Sequence, residues 1–345
     1  MLDARAEHAC CDRCAGAGTT ARIARRRLLK AAVFRPADSG GGPGASAQAP
    51  VAPAAFATHG ALQRAVTGTV IDVSPHFLVV SHGAGQQRLA LTPDAAAWRG
   101  RPLDPAALRP GDRVVARLHK TARGVADRIW ANIGRVTGTI LERTAEGLLV
   151  DEGKTRKRQF VTIPRRAFGR IQVRFPHLEP GYLIDVIGLR RGGVLEGLVP
   201  ATSQPAYHVD QMPAPALVSG HVPDSISGSA TWHEPTDEPP GILGLAYPAL
   251  DPEVNCAEGP EVPASVRLPY LSIGSVLLVR NDCTGSSCSL PVTSCAAAGR
   301  LFNDRCVTCG TSPRSRVADL TQASFVALGG ELERGCFNAT ITIGG

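Results

Sequence analysis

Val66-Thr67-Gly68-Thr69-Val70 returns seventy residues later as Val136-Thr137-Gly138-Thr139-Ile140. At the same offset Leu108-Arg109-Pro110-Gly111 returns as Leu178-Glu179-Pro180-Gly181. Two matches at one spacing make the middle of the chain a tandem duplication. Each copy opens on its Thr-Gly-Thr segment and continues through an alternating stretch, Phe77-Leu78-Val79-Val80 or Leu148-Leu149-Val150. A Pro-Gly turn then leads into a strongly β-forming run, Arg113-Val114-Val115-Ala116 or Leu183-Ile184-Asp185-Val186-Ile187. Period-two alternation punctuated by Pro and Gly predicts two small antiparallel barrels, over residues 58–135 and 136–200.

These units resemble the small oligonucleotide/oligosaccharide-binding-type barrels, and the expected fold is two tandem OB-like β-barrels in an all-β chain. Their chemistry is sparse. Lys154, Arg156, Lys157 and Arg158 cluster at a predicted hairpin tip, with Arg165, Arg166, Arg170 and Arg174 close behind. Such a cluster attracts a polyanion, for example an anionic wall polymer, or else is a solvated loop that keeps sheet edges from pairing. Nucleic acid is the weaker expectation, because exposed aromatic rings for base stacking are few.

Composition agrees with short strands and many turns. The chain has 345 residues, 43% apolar and 19% charged, with only 5% aromatic but 37 Gly and 27 Pro. No uninterrupted apolar stretch approaches the roughly 18 residues of a membrane-spanning helix, which argues against an integral membrane protein. The overall charge of +7 is uneven: +4 over residues 1–57, +9 over 58–216 and −6 over 217–345. A uniformly basic nucleic-acid binder has no such profile.

At the start, Arg25-Arg26-Arg27-Leu28-Leu29-Lys30 precedes Ala31-Ala32-Val33-Phe34, and Ala55-Phe56-Ala57 has the small-x-small form that a signal peptidase cuts. This resembles a twin-arginine export signal, although Arg35 and Asp38 interrupt its apolar segment. Residues 1–57 are therefore expected to be a signal or a disordered basic tail, and the protein to be extracytoplasmic. His8, Cys10, Cys11 and Cys14 lack a second ligand pair at a usual zinc spacing, and no metal or other cofactor is expected.

A Pro-rich spacer is expected over 201–225, and the last domain over 226–345. Seven cysteines fall there: Cys256, Cys283, Cys288, Cys295, Cys306, Cys309 and Cys336. That density points to disulfides in an oxidising compartment, with one cysteine left over; Cys306 and Cys309 read better as disulfide partners than as a zinc or redox pair. Cys283 and Cys288 flank a four-residue turn and bridge it if their side chains face each other. Arg316–Thr321 runs into a short helix, capped by Asp319 or Thr321 and stopped by glycine.

Three ordered motifs carry a second resemblance: Ser229-Ala230-Thr231-Trp232-His233; Leu268-Pro269 with Gly274-Ser275 and Val279-Arg280-Asn281; and Asp319-Leu320-Thr321 with Ser324-Phe325 and Leu328. Together they resemble the six-stranded double-psi β-barrel of the expansin, barwin and rare-lipoprotein-A families. That resemblance implies action on cell-wall polysaccharide, in a groove lined by Thr231, Trp232, His233 and Asp319. Asp319 matches the proton donor of the cutting relatives, while His233 stands where a tyrosine is usual. Where those relatives carry a second acidic residue, this chain reads Val292-Thr293-Ser294.

Glycosidic cleavage generally needs an acid and a second carboxylate, and a serine supplies no charge. The expected function is thus binding or remodelling of peptidoglycan or a similar glycan without efficient hydrolysis. Two alternatives stand beside it: a lytic transglycosylase-like enzyme with Asp319 as general acid, and a structural or adhesion protein without carbohydrate chemistry. Each residue also has a plainer role: Asp319 as helix cap, Trp232 as core, His233 as a satisfied histidine.

Overall fold

The computed structural model describes residues 64–83, 85–153, 156–203, 208–211, 224–234, 241–250, 268–296, 299, 301, 302, 305, 306 and 315–343. The expectations placed on Arg25, Arg26 and Ala57, on Lys154, and on Cys10, Cys11, Cys14, Cys256 and Cys309 lie outside the described residues.

The first copy supplies β1 (Ala65–Val73), β2 (Phe77–His82), β3 (Gly85–Trp98), β4 (Pro102–Leu103), β5 (Arg113–Leu118) and β6 (Val125–Ala131). The second supplies β7 (Ile133–Arg143), β8 (Leu148–Asp151), β9 (Gln159–Thr162), α1 (Arg165–Arg174), β10 (Leu183–Arg191) and β11 (Val194–Pro200). The rings close in the orders β1-β2-β3-β6-β5, with β4 appended to β3, and β7-β8-β9-β11-β10. Each contains a single parallel pair, β3 with β6 and β9 with β11.

The duplication extends to the ladders. Thr69 faces Arg113 and Thr67 faces Val115; seventy residues on, Thr139 faces Leu183 and Thr137 faces Asp185. The glycine of each Thr-Gly-Thr lies against the neighbouring strand. A Cβ on Gly68 would come within 2.3 Å of the Ser81 carbonyl oxygen, and one on Gly138 within 1.9 Å of that of Asp151. The Pro-Gly turns end on Gly111 and Gly181 at φ +91° and +85°, backbone that side chains rarely adopt. Their N–H groups donate to Val70 and Ile140 at 2.9 and 2.8 Å, so the two repeated motifs touch each other in both copies.

β12 (Thr202–Ser203) follows, then β13 (Ser225–His233), β14 (Leu245–Tyr247), β15 (Val276–Asn281), β16 (Ser287–Cys295), β17 (Arg305–Cys306), β18 (Arg316–Thr321), α2 (Gln322–Ala327) and β19 (Cys336–Ile343). Six of these close a third ring, β13-β18-β14-β16-β15-β19, with parallel pairs β13–β18 and β14–β16. The architecture is three closed β-barrels in a row along the chain. No helix among the described residues is long and apolar enough to cross a membrane.

The structure sharpens three of the expectations. Within the expected spacer 201–225, Thr202 is buried, its hydroxyl donates to Asp185 at 3.1 Å, and β12 pairs with β17. Arg165, Arg166, Arg170 and Arg174 lie on α1, where Ala167 and Ile171, four apart, bury one face and leave the arginines outside. Of the two caps expected for α2, Thr321 is the one formed: its hydroxyl accepts from the Ser324 N–H at 3.2 Å.

Each of the first two barrels has its own apolar core, around Leu78, Leu89 and Ile129 in one and Ile140, Ile171 and Ile184 in the other. The third core, around Trp232, Phe325 and Leu320, continues without a break into Trp98, Trp130, Ile133 and Leu189 of the first two. Charged contacts follow the same seam. Arg128 and the Trp130 indole both bind Glu333, and the buried Arg135 and Arg316 both bind Asp185.

Candidate functional site

The parallel pairing of β13 with β18 sets Thr231 beside Asp319 and Trp232 beside Leu320. On the other flank of β18, Ala246 pairs with Asp319, and Ala246 in turn pairs with Ser294 on β16. Thr231, Asp319, Ala246 and Ser294 therefore form one row across four neighbouring strands. With strands about 4.8 Å apart, Ser294 stands roughly 10 Å from Asp319 along that row. The row holds a single carboxylate.

Asp319 accepts a 2.8 Å hydrogen bond from the Thr231 hydroxyl, and His233 Nδ1 lies 3.1 Å from the Asp319 carbonyl and 3.6 Å from its carboxylate. The second barrel closes over this group. Arg156, on the β8–β9 connection, puts a guanidinium nitrogen 3.8 Å from the Asp319 carboxylate. Burial alone would raise the Asp319 carboxyl, but neighbouring His233, Arg156, Arg316 and Arg135 outweigh it and hold it below the ordinary carboxylate value.

His233 is pushed the other way from a usual histidine, to about 4, first by burial and then by Arg156, with Asp319 opposing. It is neutral at neutral pH. A nuclear magnetic resonance titration of the imidazole should show it uncharged at its ordinary 6.5 and protonating only near 4. The attached stability is complete above 6.5 and lost as pH falls through about 4. A midpoint at 6.5 would contradict the buried placement.

Trp232 is wholly buried, its indole donating to the Leu332 carbonyl at 2.9 Å and its ring 5.6 Å from the Arg135 guanidinium carbon. It belongs to the core, not to a groove wall. Thr231 and His233 are buried too. Of the basic hairpin, Arg156 turns inward, whereas Lys157 and Arg158 are exposed.

Among the cysteines, Cys283 sits on the β15–β16 turn, Cys295 ends β16, Cys306 lies on β17 and Cys336 opens β19. The bridge across the turn is not formed. Cys288 faces Val279 on the neighbouring strand, not Cys283, and keeps a free thiol that burial pushes up. Asp282, on the same turn, accepts from the Thr340 hydroxyl at 3.0 Å. No group of three or more metal-ligating side chains occurs among the described residues.

Beside the group around Asp319, where all three barrels meet, lies an open cleft of about 780 Å³. The first copy gives it Thr67, Thr69 and Arg113; the second, Glu152, Arg156 and Arg190; the third barrel and its approach, Glu234 and Gln322. Burial pushes the Glu152 carboxyl up to about 7, helped by Glu234 and opposed by Arg156, the Thr137 N–H and Arg190. Glu234 accepts from the Arg135 N–H at 2.7 Å and from Arg190 at 2.9 Å.

Sequence reasoning passed over Glu152, Arg135, Asp185, Glu234 and Arg190. One signal was available. At the seventy-residue offset, Arg135 replaces Ala65, Asp185 replaces Val115 and Glu152 replaces His82, so the charges are where the copies differ. In comparison with known proteins, no family model and no curated protein matches the chain.

Proposed function

We propose that this is an extracytoplasmic envelope protein that binds wall polysaccharide through its third barrel without cleaving it. In this reading the third ring is a double-psi barrel of the expansin-like kind, and the first two are OB-like. Support for the double-psi assignment comes from its motifs lying within one ring of six strands with two parallel pairs. Support for the OB-like assignment comes from two five-stranded rings of one connectivity, with α1 between the third and fourth strands of the second. Export through the twin-arginine route and stapling by disulfides among the seven C-terminal cysteines belong to the same proposal, and rest on the sequence.

The observation that carries it is the row Thr231–Asp319–Ala246–Ser294. Glycosidic cleavage generally relies on a proton donor and a second group, most often a second carboxylate. Here the only carboxylate of the row is held ionised, and a serine occupies the second position. That arrangement disfavours Asp319 as general acid. A structural envelope role is the second reading, favoured by the burial of Trp232 and His233.

One experiment separates them. The full chain is incubated with purified cell wall, and pelleted protein and soluble fragments are both measured. Co-sedimentation without fragments is expected. Fragments that vanish on Asp319→Asn would overturn the non-cleaving reading, and absence of co-sedimentation would leave the structural one. Fractionating cells that express Arg25→Lys/Arg26→Lys tests export: retention in the cytoplasm is expected, and unchanged secretion refutes the route.

A further inference from the structure

We infer that the cleft between the three barrels is a binding site for an oligosaccharide bearing negative charge, as carboxylate or phosphate, held by Arg113 and Arg156. Its size suits a few sugar rings, since ligand sites commonly span about 300–1,000 Å³. Thr69, Ser81, Asn132 and Gln159 also line it, and among the described residues no aromatic side chain does. Without a ring to stack on, neither a nucleobase nor a neutral pyranose finds its usual platform, so charge and hydrogen bonds must do the holding.

The charges are not evenly committed. Arg135 is spent on Asp185 and on the Trp232 and Gly335 carbonyls, and Arg190 on Glu234 and Gln159. Arg113 has no ion pair among the described residues, and Arg156, which also faces Glu152, makes its ion pair with Asp319 at 3.8 Å, longer than a hydrogen bond. Two guanidinium groups thus keep donors for a guest.

A comparison of the two copies adds an independent sign. Thr137 in the second copy gives its hydroxyl to Asp185 at 2.9 Å. Its counterpart Thr67 faces Val115, and its buried hydroxyl has no hydrogen-bond partner among the described residues. That orphaned group borders the cleft. Buried polar atoms are seldom left so unless something unseen pairs with them.

Glu152 adds a pH dependence. Its carboxyl is faced by Arg156 on its own connection, Arg190 on β10, and Glu234 after β13. With a midpoint of about 7, it gains a proton as pH falls through neutrality and ceases to repel an anion. Binding therefore tightens on the acid side.

This inference rests on the wall-glycan reading only for the origin of the polymer, and the test keeps the two apart. The full chain is titrated calorimetrically with tetragalacturonate, a glycerol-phosphate oligomer, neutral chitotetraose and a single-stranded oligonucleotide. At least one acidic saccharide should bind about tenfold more tightly than chitotetraose, and which of the two does so identifies the anion. Arg113→Gln and Arg156→Gln should each weaken it by about tenfold, and Arg101→Gln, exposed and outside the cleft, should not. Arg113 is itself exposed, so its variant stays informative even if Arg156→Gln unfolds. Glu152→Gln should abolish the tightening between about pH 8 and about pH 6.

Equal affinity for neutral and acidic sugars, an oligonucleotide that binds as tightly, or indifference to Arg113→Gln would overturn the site. Wall co-sedimentation that survives such a result leaves the proposed function standing. Acidic-saccharide binding without wall co-sedimentation keeps the site and removes that function.

Discussion

Asp185→Ala is expected to destabilise the protein by about 3–5 kcal/mol, because it removes the buried carboxylate that two guanidinium groups share. Asp185 is fully buried and receives Arg135 at 2.6 and 2.8 Å, Arg316 at 2.7 Å, and the hydroxyls of Thr137 and Thr202 at 2.9 and 3.1 Å. Burial on its own would push its pKa up. Arg135 and Arg316, with the hydrogen bonds, reverse that and bring it from 3.8 down to about 2. A carboxyl depressed on folding stabilises fully above its unfolded value of 3.8, and that support disappears as pH falls through about 2. Urea titrations at neutral pH and in acid, on parent and variant, measure both effects. A neutral-pH loss below about 1 kcal/mol would show that Asp185 does not bind the second barrel to the third.

Trp232→Ala should cost a similar amount, about 3–5 kcal/mol, as the loss of a fully buried indole usually does. The variant forfeits the hydrogen bond to Leu332 and the packing against Arg135, and leaves a void where the third core continues into the other barrels. Trp232→Phe retains most of that volume and should lose less. An indole lining a sugar groove behaves differently: its truncation weakens glycan binding and changes stability by less than about 0.5 kcal/mol. Denaturation midpoints with wall co-sedimentation on the same two variants distinguish core from groove.

The fold was legible where sequence and backbone share a period. The Thr-Gly-Thr and Pro-Gly repeats marked the two small barrels because their glycines answer a local demand: close approach to a neighbouring strand at Gly68 and Gly138, and left-handed backbone at Gly111 and Gly181. The apolar run Ser275–Arg280 and the runs Cys288–Ser294 and Phe337–Ile343 lie within one residue of the limits of β15, β16 and β19. α1 was missed because only Ala167 and Ile171 bury its inner face, and a stripe that thin hardly registers among so many arginines.

The candidate site was legible in part. Thr231 and Asp319 were named together, and a parallel strand pair does set them side by side. What stayed hidden is that the barrels bury these groups against each other. Arg156, Arg135 and Glu152 reach the junction from sequence positions far from Asp319, and no local pattern records a contact between domains. A lone Asp185 inside an apolar β run was the clearest trace, since a charge there must find a partner or be expelled.

The divergence of the two copies has a consequence for how the chain was built. In the first copy the apolar Ala65 and Val115 are buried in the core shared with the third barrel, whereas Arg135 and Asp185 at the same places in the second form a socket keyed to Arg316. One half of the duplication thus meets the third barrel through apolar side chains while its twin supplies a charged foundation. Transposing the two halves in the gene would preserve each β-ring yet offer Arg316 a greasy wall, so their sequence along the polypeptide is now locked.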